Sequence, residues 1–162
     1  MTQARDSLSS KAAYGLALGW LAARELSEGQ VRERLGRRGF LPQAINPAVQ
    51  RLLAERALDN RRAAMAVART EAKVRRHGRR RIMAKLAAMR FDRDLAREVV
   101  QELFGETDEA ELLEQTLDKW LGGTAARLCE PRERRKLVAY LVRQGFSGSA
   151  ASGLIRRRAR EK

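Results

Sequence analysis

Residues 31–40, VRERLGRRGF, carry a pattern that recurs at 82–91, IMAKLAAMRF, and again at 137–146, LVAYLVRQGF. Each copy opens on an aliphatic residue (Val31, Ile82, Leu137), places Leu four residues later (Leu35, Leu86, Leu141) and closes on Phe (Phe40, Phe91, Phe146). Residues four apart share one face of a helix, so each aliphatic–Leu pair predicts a core stripe. Gly39 and Gly145 fall where such a helix would end in a left-handed cap, a conformation that glycine adopts without a Cβ clash. Arg90 holds that position in the second copy, which predicts a different or strained cap there. The copies are offset by 51 and 55 residues, the period of a repeat architecture.

Working outward, a second apolar rhythm follows each Phe: Ile45, Val49 and Leu52, then Leu95, Val99 and Leu103, then more sparsely Leu154. A longer helical segment precedes each copy. Tyr14, Leu18 and Leu21 lead the first, with Ala17 and Trp20 beside them; Ala63, Val67 and Val74 suit the second; Leu113, Leu117, Trp120 and Leu121 suit the third. Ser27, Asp59 and Thr107 offer N-cap oxygens. Pro42, Pro47 and Pro131 are expected at or near helix starts, where a missing N–H costs little. The expected fold is all-α, three tandem three-helix repeats at residues 9–57, 58–104 and 106–161, docked end to end as an elongated, curved array.

Composition agrees. Of the residues in the 162-residue chain, 26 are Ala and 21 are Leu, against 11 Val and Ile together. Ala, Leu and Arg enter helices at little cost, whereas β-branched residues favour strands. One cysteine, Cys129, closes no intramolecular disulfide, and with the single His77 it makes no zinc set. The longest apolar stretch, residues 12–23, is too short for a membrane helix, which needs roughly 20 residues. The opening residues lack the layout of a signal peptide, so a cytoplasmic protein is expected.

At these residues the chain resembles the RecX-type regulatory proteins, small modulators of the RecA recombinase. Residues 18–27, LGWLAARELS, followed by Val31, Leu35, Gly39 and Phe40, are similar to the opening helix and serine turn of that family. Leu58-Asp59 resembles its entry to the second repeat, residues 78–82 its Gly-Pro-Arg-Arg-Ile segment, and residues 135–147 its third repeat. Asn60, Ala63 and Arg79 depart from the family's usual Asp, Phe and Pro. The resemblance covers roughly residues 11–158. It implies a protein that lies in the helical groove of the RecA filament on single-stranded DNA. It further implies inhibition of strand exchange, ATP hydrolysis and coprotease activity, and thereby a role in DNA repair, recombination and the SOS response.

The charge points the same way. The net charge is +14, and residues 61–104 carry 13 basic against five acidic side chains, whereas each flanking third is only +3. Within the middle third, RRHGRRR at 75–81 places Arg75, Arg76, Arg79, Arg80 and Arg81 around an expected helix–helix turn. Grouped guanidinium groups grip phosphates bidentately and release counterions from a polyanion. They also pair with carboxylates on a protein surface. Read alone, such a run is equally a solvated turn; its concentration in one unit favours binding, and these five arginines are the expected partner and nucleic-acid contacts. The second cluster, Arg156, Arg157 and Arg158 with Arg160 and Lys162, reads as basic residues that complement a helix C-terminus or form a frayed tail.

No other residues build a chemical centre. His77 reads as an ordinary turn histidine beside cations, without a carboxylate partner. Cys129 reads as a spectator thiol near Arg127 and Arg132. Trp20 and Trp120 read as core, and Glu106, Asp108, Glu109, Glu111 and Glu114 as acidic residues that favour a helix start. No phosphate loop is present. The expectation is a monomeric, non-enzymatic regulator without cofactors, whose partner is the RecA filament on single-stranded DNA, with weak direct DNA binding. A helix-turn-helix-like, sequence-tolerant DNA-binding protein is the alternative, and a plain helical scaffold with a basic surface is the third reading.

Overall fold

A computed structural model describes residues 9–123, 128 and 130–160. Cys129, proposed above as a spectator thiol, lies outside the described residues. These residues form nine helices and no strand: α1 Ser10–Ala23, α2 Glu28–Arg37, α3 Pro42–Ala54, α4 Asn60–Lys73, α5 Arg79–Ala88, α6 Arg93–Glu106, α7 Glu109–Leu121, α8 Pro131–Arg143 and α9 Gly148–Arg160. The architecture is all-α and built on tandem three-helix repeats. By packing, the chain divides into two compact units, one of Met1–Ala66 with Leu86–Ala96, the other of Val67–Lys85 with Arg97–Lys162.

In the first unit the repeat's core stripe is buried as expected. Val31 and Leu35 of α2 meet Ile45, Val49 and Leu52 of α3, with Leu26, Phe40 and Leu58 closing the ends. Against them α1 presents Ala13 and Ala17, both fully buried, while Tyr14, Leu16, Trp20 and Leu21 pack around the edge. Leu18, expected on this stripe, is instead 38% exposed. Alanine contacts let α1 approach α3 closely, so the larger residues flank the seam rather than fill it. Trp20 is only half-buried, with the Arg34 guanidinium 5.7 Å above its ring. Ser27 caps α2 in a complete capping box: its Oγ accepts the Gln30 N–H, and the Gln30 side chain accepts the Ser27 N–H.

In the second unit Leu112, Leu113, Leu117 and Leu121 of α7 are buried, as are Leu137 and Leu141 of α8 and Ala151, Leu154 and Ile155 of α9. Trp120, expected in this core, is half-buried and tilts against Tyr140 at 6.3 Å. In α4, Ala63 is buried, but Val74 is 70% exposed, because the helix has ended at Lys73 and the chain is already turning. Two boundary expectations also change. Asp108, not Thr107, caps α7, accepting the Ala110 N–H at 2.8 Å. Pro42 and Pro131 do open α3 and α8, yet Pro47 lies inside α3. A proline there removes one donor from the helix ladder.

The repeated Phe turn is built alike three times. Phe40, Phe91 and Phe146 each donate their N–H to the carbonyl of Leu35, Leu86 or Leu141. The residue before each is left-handed: Gly39 at φ 87°, Arg90 at φ 59° and Gly145 at φ 100°. Arg90 therefore carries the strain expected of a side chain in this region, about 1–2 kcal/mol.

Two of these turns receive the start of another helix, in one register. In the first unit, the start of α2 sits on the end of α5. Ser27 donates its hydroxyl to the Met89 carbonyl at 2.5 Å, and a Cβ on Gly29 would lie 2.7 Å from the Cβ of Arg90. In the second unit, the start of α5 sits on the end of α8. The Gly78 N–H donates to the Gln144 carbonyl at 2.9 Å and the Arg80 N–H to the Gly145 carbonyl at 3.2 Å. Across the repeat offsets, Ser27 corresponds to Gly78, Gly29 to Arg80, Met89 to Gln144 and Arg90 to Gly145. Orphan donors at one helix start thus meet orphan carbonyls at another helix end.

Candidate nucleic-acid interface

The turn that carries the five arginines begins where α4 stops. Arg76 adopts φ 56° and donates its N–H to the Ala72 carbonyl at 3.0 Å, a left-handed helix end, while the His77 N–H reaches back six positions to the Glu71 carbonyl at 3.0 Å. That closure also brings the side chains together. His77 Nδ1 lies 2.6 Å from Glu71 Oε2, with both residues buried. His77 does lie in a turn, as expected, but it is buried against a carboxylate partner that its neighbours in sequence did not suggest. Helix-face counting overlooks a partner six residues away, because the left-handed turn, not the helix, supplies the proximity.

Further contacts hold the same turn. The Thr116 hydroxyl lies 3.2 Å from the Arg76 carbonyl and 2.7 Å from that of Leu112, and its one proton serves either. Gly78 is pressed against Gly145 and Phe146 so tightly that a Cβ would lie 2.7 Å from the Gly145 carbonyl group. The backbone from 75 to 81 is thus fixed at both ends by its own unit.

The arginines on this scaffold differ in what they touch. Arg79 is committed: its Nε donates to Glu109 Oε2 at 2.7 Å, its backbone N–H to Glu109 Oε1 at 3.2 Å, and its guanidinium lies 4.5 Å from the Phe104 ring centre. Arg75 stands 3.5 Å from Glu71 Oε1 and is mostly exposed. Arg81 donates through Nη1 to the Arg143 carbonyl at 3.0 Å and approaches Gln144 Oε1 at 3.4 Å. The Arg80 side chain is exposed and has no partner among the described residues. The Arg76 side chain, half-buried, likewise has none.

The five residues therefore share one turn in one compact unit, with Arg76 and Arg80 carrying uncompensated charge. Sequence reasoning missed the supporting set of Glu71, His77 and Glu109, and it missed Arg143, whose exposed side chain leaves the backbone that Arg81 grips. That Arg143 lies beside Arg81 was unreadable before the α5–α8 joint was known. Of the acidic residues expected at one helix start, Glu109 opens α7 and pairs with Arg79, Glu106 instead ends α6 and lies 3.8 Å from Arg69, and Glu114 pairs with Arg157 at 2.7 Å. Arg158 pairs with Asp118. The second basic cluster is thus partly neutralised within its own unit. Among the described residues no three His, Cys, Asp or Glu side chains converge as a metal site, and no helix is long and apolar enough to cross a membrane.

Comparison with known proteins places this geometry. Residues 13–52 match the family model described as RecX, first three-helix domain. A protein named Regulatory protein RecX from Syntrophotalea carbinolica is 31% identical over 137 residues, covering 85% of this chain and 90% of the relative. Its namesake from Pelodictyon phaeoclathratiforme is 26% identical over 144 residues, covering 89% and 87%. The crystal structure of RecX from Lactobacillus salivarius shares the fold, with a TM-score of 0.79 at 19% identity over 95% of this chain and 97% of that one. A second RecX crystal structure gives 0.76 at 20% identity, covering 91% of this chain and 71% of that one. With a 31%-identical relative covered over nine-tenths of its length, and with its opening helices matching the family's first domain, the chain belongs to the RecX family of regulatory proteins.

Proposed function

We propose that this protein regulates homologous recombination and the SOS response by binding the RecA filament on single-stranded DNA within its groove, inhibiting strand exchange, ATP hydrolysis and coprotease activity. It acts by occupying a surface, not by catalysis, as a cytoplasmic monomer built from repeats at residues 9–57, 58–104 and 106–161. The observation that carries the reading is the turn at 75–81, held at both ends by its own unit, where Arg76 and Arg80 have no counter-charge among the described residues and Arg75 and Arg81 are exposed. Side chains that project from a fixed backbone lose less freedom on meeting phosphates or carboxylates than those on a flexible loop do. A filament presents the same site many times, so several modest contacts sum through effective concentration.

The test is ATP hydrolysis by the cognate RecA on single-stranded DNA with this protein added at rising ratio. Hydrolysis is expected to fall; a flat response overturns the proposal. Replacing Arg75, Arg76, Arg80 and Arg81 by Ala, while keeping Arg79 on Glu109, is expected to relieve the inhibition. Retained inhibition would place the contact surface elsewhere. Titration with labelled DNA alone separates the DNA-binding alternative: tight, sequence-selective binding without recombinase would favour it, whereas weak binding that falls steeply with salt accords with the regulator.

A further inference from the structure

Helix α8 turns Leu137 and Leu141 into its unit and leaves Arg132, Arg135, Lys136, Ala139 and Arg143 exposed on the opposite side. At 3.6 residues per turn these positions fall within about a third of the helix circumference and span about 16 Å of its length. Lys136 shares its charge with Glu133 at 2.7 Å, whereas no acidic side chain pairs with Arg132, Arg135 or Arg143 among the described residues. The repeat offset sets Arg135 and Lys136 against Arg80 and Arg81 of α5, and those against Gly29 and Gln30 of α2. The second and third repeats thus carry a basic pair at one equivalent place, and the first does not. Two other cations of α2 are held by its own acids, Arg32 by Glu28 and Arg37 by Glu33, while α5 contains no acidic residue and α8 only Glu133. The joint between α5 and α8 makes one surface of the two pairs. Arg81 grips the Arg143 carbonyl at 3.0 Å, so the exposed Arg80 and Arg81 adjoin the α8 row at its carboxyl end.

The geometry points to this row, from Arg132 through Arg143 to Arg80 and Arg81, as a binding face for the sugar–phosphate backbone of duplex DNA, held without regard to sequence. A duplex carries one negative charge per roughly 1.7 Å of its axis, so a row of this length meets several phosphates at once and releases their counterions. Contacts to phosphate fix position but read no bases. Single-stranded DNA fits less well, because its binders add aromatic side chains on which unpaired bases stack. The row has none: Tyr140, the one aromatic residue of α8, is half-buried beside Trp120. A second copy of this chain, itself at +14, is repelled. A lipid surface finds one exposed large apolar side chain on α8, Val142 at 37%, too little to insert. The inference goes beyond the filament reading, since it assigns a duplex-binding face that needs no recombinase.

The test is fluorescence anisotropy of the full chain with a short labelled duplex of mixed sequence, across salt concentrations and without recombinase. One variant combines Arg132→Gln, Arg135→Gln and Arg143→Gln, exposed positions whose loss leaves no partner stranded, and an unchanged Tm shows that it is folded. Its duplex affinity is expected to fall by about tenfold or more, and the slope of log affinity against log salt to shrink by about 2–3. A control combining Arg24→Gln, Arg38→Gln and Arg93→Gln removes the same charge from exposed positions of the other unit and is expected to lose much less. A benzoylphenylalanine photo-crosslinker at Ala139, amid the row with every arginine in place, is expected to label the duplex. Failure of the unaltered protein to bind duplex, equal losses in the two variants, or no labelling from position 139 overturns the inference. So does tighter binding of a single strand of the same length through the same arginines. A row variant that keeps its duplex affinity and loses only filament binding overturns it too, by making the row a protein contact. Because the duplex assay contains no recombinase, failure of the filament reading leaves this inference standing, and its own failure leaves the filament reading standing.

Discussion

His77 and Glu71 are both buried, and the ring Nδ1 lies 2.6 Å from the carboxylate Oε2 across a left-handed turn at Arg76. With Glu71 ionised, Nδ1 carries the proton and donates it. Removing the imidazole leaves a carboxylate buried with only the more distant Arg75, so His77→Ala is expected to cost about 3–5 kcal/mol in urea unfolding. The paired change Glu71→Leu with His77→Leu is expected to cost much less, because no polar group is then stranded. If the single and double variants are equally unstable, the pair matters only for its volume.

The joint between α5 and α8 leaves no room for a methyl group. Gly78→Ala places a Cβ 2.7 Å from backbone atoms of Gly145, and backbone cannot swing aside as a long side chain can. The expected loss is about 1–3 kcal/mol by overpacking. Gly36→Ala in the exposed part of α2 meets nothing within 4 Å and is expected to gain about 0.5–1 kcal/mol from helix propensity. Thermal melts of the two variants should move in opposite directions.

These two cases show what a single sequence discloses. Val31, Leu35 and Phe40 repeat at fixed spacing because burial on one helix face enforces the period, so helices and repeats were readable. Ser27 was readable as a cap because its chemistry acts within three residues. Arg79 with Glu109, 30 residues apart, was not, nor was the crowding at Gly78, since both depend on which helix end meets which helix start. Val74 was misread for a related reason: it continues the apolar rhythm, but α4 unwinds one residue before it, and periodicity does not mark where a left-handed turn begins. For the arginine cluster, charge density was visible in the sequence, whereas the division into committed Arg79 and uncompensated Arg80 follows from packing.

Among the described residues, the three non-glycine residues with positive φ are all arginines: Arg56, Arg76 and Arg90. Each ends a helix in a conformation that glycine adopts without strain. Arg56 is exposed, so Arg56→Gly is expected to stabilise the protein by up to about 1 kcal/mol. Arg90 holds Glu33 through two hydrogen bonds, at 2.7 and 3.1 Å, so Arg90→Gly loses that pair as it sheds strain and should change stability less. Arg76→Gly separates fold from function: urea unfolding should show a gain, and filament inhibition a loss. A variant that gains stability and inhibits as before would remove Arg76 from the contact surface.

Acid is expected to weaken the fold through particular carboxylates. The Leu95 N–H, joined by that of Asp94, holds the Asp92 carboxyl below its ordinary value, and the Arg90 guanidinium does the same for Glu33. A carboxyl depressed in the folded state stabilises fully above its unfolded pKa, about 4, and that contribution is lost as pH falls through the lower folded value. Tm should therefore be level from neutral pH down to about 5 as far as these groups decide it, then fall below about 4. Asp92→Asn keeps a capping oxygen but cannot titrate, so its Tm should start near that of the unaltered protein and decline less steeply in acid. Parallel declines for the two proteins would show that the cap at Asp92 contributes nothing to the pH dependence, leaving Glu33 and its partner Arg90 as the pair to test next with Glu33→Gln.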